Sequence, residues 1–114
     1  KHDPARKLVW SSLTRQDFAL AGAAEAELAD VLDELIATSP DARVAVLVYE
    51  SADATVCAVV DAVRPHDAAL LTAAWQPDGG ARRARLCIRG KTLAVAEQEL
   101  VAGLQAKIQV SNSE

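Results

Sequence analysis

The sequence holds no methionine, one tyrosine, one phenylalanine and two tryptophans among its 114 residues. With aromatics at 4%, Trp10, Phe18, Tyr49 and Trp75 are the whole stock, too thin for a stacking platform that grips single-stranded nucleic acid. No apolar run approaches the roughly 18 residues of a membrane span, which excludes a membrane partner of the helical kind. Cysteine and histidine are equally sparse, two of each. Cys57 and Cys87 have neither C-x-x-C nor disulfide-type spacing and read as small hydrophobes within strands, while His2 and His66 have no neighbouring ligands. Ser11 and Ser12 lack both an adjacent base and the G-x-S-x-G elbow, so no nucleophilic triad can be assembled. Basic residues are outnumbered 12 to 16, and the net charge of −4 argues against a broad polyanion-binding surface. Two separated cysteines and no secretory leader read as cytoplasmic, and the opening KHDP, without an initiator Met, suggests a fragment of a longer chain.

What is present is globular: 51% hydrophobic and 25% charged residues in a length that suits one domain, 1–114, with a folded core over 7–110 and tails at 1–6 and 111–114. Residues 7–13 (KLVWSSL) read as a strand, and residues 14–17 have the spacing of a capping box that opens a helical turn. In residues 24–38, Leu28, Val31, Leu32, Leu35 and Ile36 recur at helical spacing opposite carboxylates, and Pro40 closes the helix. The runs at 42–49 (ARVAVLVY) and 55–60 (TVCAVV) read as a hairpin whose strands are covered on both faces, because neither alternates with polar residues. Asp67 caps a helix over 68–75, residues 76–81 form a loop, and 84–89 (ARLCIR) alternates as a strand with one wet side. A last helix follows Gly90-Lys91-Thr92, with Leu93, Ala96, Leu100, Val101, Leu104 and Ile108 on its apolar stripe. The order β-α-β-β-α-β-α predicts an α/β domain, a mixed four- to five-stranded sheet with helices packed on it.

Chemistry can be placed in few positions. Asp30, Asp33 and Glu34 share a helix face opposite the apolar stripe and read as a solvated surface. The stretch DGGARR at 78–83 sets two glycines before two guanidinium groups, which suits either a phosphate contact or an ordinary turn. Arg82, Arg83, Arg85, Arg89 and Lys91 gather there with only Asp78 opposing them.

Order and landmarks together resemble the DHH-associated domain, the C-terminal substrate-binding part of the Asp-His-His phosphoesterases. KLVWSSLTRQD at 7–17 is similar to that family's opening strand and T-x-E-D turn, and Ala21-Gly22-Ala23 to the Gly-Ala that follows it. Residues 42–49 resemble its V-A-V-L strand, Ala73-Ala74-Trp75 its A-A-F, and Asp78-Gly79-Gly80-Ala81 its G-G-G-H loop. Three positions depart. Ala81 stands where the loop histidine is expected, and Asp61 and Ala62 stand where an Arg-Ser pair meets phosphate, with Asp61 placed to repel an anion. The resemblance implies a domain that positions a nucleotide or short single-stranded oligonucleotide through Gly79, Gly80, Arg82, Arg83 and Arg64. No catalytic or metal-ligating residue is implied in this chain. Hydrolysis would belong to an N-terminal DHH catalytic domain of the same parent chain, holding a divalent metal of the manganese type. The alternative is a degenerate scaffold or assembly module of the same fold, with a homodimer as its partner. The alanyl-tRNA synthetase C-terminal domain shares the fold, but residues 7–22 fit it poorly.

Overall fold

The structure, a computed structural model, describes residues 2–3, 5–14, 28–50, 55–63 and 66–108. Its frame is a mixed sheet of four long strands: β2 (Leu8–Leu13), β3 (Val44–Glu50), β4 (Thr55–Ala62) and β6 (Arg83–Arg89). Two-residue strands close the edges, β1 (His2–Asp3) beside β2 and β5 (Asp78–Gly79) beside β6, giving the order β1-β2-β3-β4-β6-β5. Among the described residues only the β2–β3 pair is parallel. The α/β class, the mixed sheet and the element order agree with the sequence. The short edge strands are an addition, and β1 falls in a stretch that reads as a tail. The helical turn expected at 14–17, residues 24–27 of the expected helix and Ala21-Gly22-Ala23 lie wholly or mostly outside the described residues, as do 111–114.

The register sorts side chains into two faces. Leu8, Val44, Val46, Val48, Val56, Ala58, Val60, Ala62, Ala84, Leu86 and Ile88 point to one side. Helices α2 (Ala68–Leu71) and α3 (Leu93–Lys107) cover it, burying Ala96, Leu100, Val101 and Leu104. Val9, Ala45, Leu47, Tyr49 and Cys57 point to the other side and meet Leu32 of α1 (Leu28–Ala37). Cover on both faces explains why β3 and β4 are almost unbroken apolar runs. In β6 the pattern alternates instead, because Ala84, Leu86 and Ile88 lie under α2 and α3 while Arg85, Cys87 and Arg89 are exposed on the opposite face.

Three local features fix this frame. Lys7 adopts a left-handed φ of 55°, and its carbonyl accepts from both Arg43 N and Val44 N, so the kink starts the β2–β3 pairing. Trp10 Nε1 donates to Oε2 of the buried Glu97 at 3.0 Å, joining β2 to α3. The helix expected over 68–75 breaks at Thr72, whose hydroxyl donates to the Ala68 carbonyl at 2.7 Å, and the chain continues as a 3-10 turn over Ala73–Trp75.

The sequence reading of the cysteines is corrected. Cys57 and Cys87 are directly opposed in the β4–β6 ladder, with Cα atoms 3.9 Å apart, and form a disulfide. Their separation of 30 residues gives no hint of this, since strand register and not spacing brings them together.

Candidate functional site: a carboxylate between two arginines

The DGGARR stretch is a hairpin turn. Asp78 pairs with Arg85 and Gly79 with Ala84, and Gly80 N–H donates to the Arg83 carbonyl at 2.9 Å. Gly79 has φ +134°, and a Cβ there would stand 2.4 Å from the Arg83 carbonyl oxygen, so the opposite strand is what requires this glycine. A Cβ on Gly80 would meet nothing within 4 Å. The carbonyls of Ala81 and Arg82 accept from Ala68 N and Ala62 N, docking the turn onto the start of α2 and the end of β4. The inner side of the turn therefore presents acceptors, and the positive charge it offers an anion lies in its guanidinium groups.

Those groups are organised by Asp61. The register sets Asp61 opposite Arg83, and the carboxylate is only 3% exposed. Its Oδ1 accepts from Arg82 Nε at 3.0 Å, and its Oδ2 accepts from Arg83 Nε at 3.0 Å and Nη2 at 2.6 Å. Arg83 Nη2 also donates to Asp33 Oδ1 of α1 at 3.1 Å. Burial pushes the Arg83 guanidinium down, but its hydrogen bonds to Asp61 and Asp33 outweigh this and raise it above its ordinary value. Arg82 is different: its side chain is 71% exposed, and it spends only Nε, its terminal amino groups making no hydrogen bond among the described residues. Alongside, Arg85 Nε donates to the Tyr49 hydroxyl at 3.2 Å.

Of the residues the sequence singles out, Gly79, Gly80, Arg82 and Arg83 share this one turn. Arg64 lies outside the described residues. Asp61, read from the sequence as a repulsive charge, joins the two arginines, and Asp33, read as part of a solvated face, reaches Arg83. The available sign was Asp61 itself, a lone carboxylate inside the apolar stretch TVCAVVDAV, which calls for a cationic partner. A cavity of about 610 Å3 lined by Lys7, Leu8, Val9 and residues 38–42 lies apart from this turn.

Sheet and turn together define a two-faced α/β domain with an arginine–carboxylate turn at one sheet edge. In fold the chain is similar to part of an exopolyphosphatase-related protein from Bacteroides fragilis, with a TM-score of 0.72 at 13% identity. The match covers 93% of this chain and 32% of that one, so the chain spans about a third of that protein's length. No family model matches the chain, and no curated protein matches it in sequence. No helix among the described residues is long and apolar enough to cross a membrane.

Proposed function

We propose that this chain is a substrate-binding domain of a DHH-type phosphoesterase-like protein, orienting a nucleotide or short single-stranded oligonucleotide phosphate for hydrolysis by a separate catalytic domain. The observation that carries the reading is the pair of guanidinium groups held side by side by one buried carboxylate. Asp61 lowers the net charge, yet it fixes the planes of both groups, and a fixed guanidinium loses less freedom on meeting a phosphate than a mobile one. The terminal amino groups of Arg82 are the outward donors, and Arg83 adds charge from behind. The fold supports the division of labour, because a similar domain forms about a third of the exopolyphosphatase-related protein. A divalent metal held by the catalytic domain would activate water, and the residues of this chain would bind and orient.

A second reading, a scaffold whose ligand groups have been lost, is favoured by Asp33 and Asp61 together, which match the charges of Arg82 and Arg83 one for one. Titration of a short oligonucleotide at low and moderate salt separates the two. Arg82→Ala leaves Asp61 bonded to Arg83, so the fold is retained. Binding should weaken about five- to tenfold with a shallower salt dependence. Identical curves for wild type and variant would overturn the assignment of Arg82. Absence of binding to both, with a concentration-dependent dimer in sedimentation, would establish the scaffold.

A further inference from the structure

The α1 side of the sheet carries a second constellation, at the exposed residues of β6 beyond the Asp61 cluster. In one register row, Leu13, Tyr49, Cys57 and Cys87 line up across β2, β3, β4 and β6 on the face that packs against α1. Cys57 is 2% exposed, packed among Tyr49 and Leu47, whereas Cys87 is exposed. One sulfur of the disulfide is thus at the floor and the other at the surface. Cys87 lies between Arg85 and Arg89, two residues to either side on the same face of β6 and about 7 Å away along the strand. Asp78, opposite Arg85, is the carboxylate that the ladder places nearest on the β5 side, and Thr55 stands opposite Arg89.

We propose that the Cys57–Cys87 disulfide is a thiol-exchange site at which Cys87 forms a mixed disulfide with a small anionic thiol. The thiolate sulfur of the small molecule attacks Cys87 Sγ, the accessible atom. A new S–S bond forms there as the Cys57–Cys87 bond breaks, and the electron pair leaves on Cys57 Sγ, which takes a proton from solvent. A second small thiolate then attacks the small molecule's sulfur in the adduct, and the electron pair of the broken bond leaves on Cys87 Sγ, which is protonated. In sum two small thiols are oxidised to one disulfide and the protein disulfide is reduced to two thiols. Arg85 and Arg89 favour an incoming thiolate that carries a carboxylate or sulfonate, and they hold that group in the adduct. Cys57 remains beneath Cys87, so in the mixed disulfide it is the resolving thiol: its thiolate attacks Cys87 Sγ, expels the small thiolate and closes the protein disulfide again when small thiol is withdrawn.

The test exposes the full oxidised chain to 2-mercaptoethanesulfonate, 2-mercaptoethanol or cysteamine, compared at equal thiolate concentration. Acid quenching and mass spectrometry give the rate and the modified residue. Exchange should be about five- to tenfold faster with the sulfonate than with the neutral thiol, slowest with the cation, and the advantage should shrink as salt is added. The adduct should map to Cys87. Arg89→Gln should halve the advantage or more, and circular dichroism checks that this exposed substitution leaves the fold intact. An adduct on Cys57, equal rates for anionic and cationic thiols, or a preference untouched by Arg89→Gln would each overturn the proposal. So would exchange that proceeds only at the rate of global unfolding.

Discussion

A carboxylate inside an apolar strand is stable only with partners, and Asp61 draws three hydrogen bonds from two arginines. Asp61→Asn removes the charge and leaves half-buried Arg83 with Asp33 as its charged partner among the described residues. We expect a loss of about 2 kcal/mol in denaturant unfolding, against less than about 1 kcal/mol for Arg82→Ala, whose side chain is mostly in water. His66 supplies a pH dependence. Burial, and then the positive charge of Arg43, hold its pKa below the ordinary 6.5. The unfolded chain therefore binds the proton more readily. The contribution of His66 to stability is complete above 6.5 and is lost as pH falls from there through the depressed folded value. Replacing His66 by Gln should flatten the stability profile in that window, measured as denaturant midpoints across pH. A profile unchanged by the substitution would refute the assignment. At this scale the sequence showed which residues carry charge but not which charges meet. Asp61 is 21 and 22 residues from its arginines, and only the register of β4 on β6 makes them neighbours.

Elements were more legible than contacts. The helical stripe from Val31 to Ile36, the unbroken runs of β3 and β4 and the alternation of β6 all report which faces are covered, and burial follows them. Two signals misled at the same level. Thr72 ends a helix that the apolar pattern would carry on to Trp75, because its hydroxyl competes for a backbone carbonyl, and the pair Asp78–Gly79 is too short for any periodicity to reveal. Gly103 is a sharper case. Within α3 a glycine is expected to weaken the helix by about 1 kcal/mol relative to alanine. Here a Cβ would fall 2.6 Å from the ring of Trp75, so Gly103→Ala should lower the melting temperature instead of raising it. In a Trp75→Leu background the same change should become stabilising. That reversal of sign, read by thermal unfolding of the four proteins, isolates the contact from the propensity.

On the scale of the whole molecule, the Cys57–Cys87 link ties two strands of one sheet across 30 residues of chain. Cys57→Ala/Cys87→Ala should lose about 3 kcal/mol in denaturant unfolding through the greater freedom of the unfolded chain, and reduction of the wild type should have a similar effect. An unchanged midpoint would show that the ladder holds without the link. The fold likeness to the exopolyphosphatase-related protein rests on the arrangement of elements and not on shared residues. That is why architecture could be inferred from pattern, while the chemistry depends on a few side chains whose meeting no pattern encodes. One pairing sets the order in which the sheet can be completed. β3, β4 and β6 join as antiparallel neighbours, whereas β2, flanked on its other side by the two-residue β1, lies parallel to β3 and must wait for a crossover before it finds a long partner. On the ribosome β2 emerges before the three long strands it must join and is seated late, so Trp10 and its neighbours are a part of this sheet that a nascent-chain chaperone would meet uncovered.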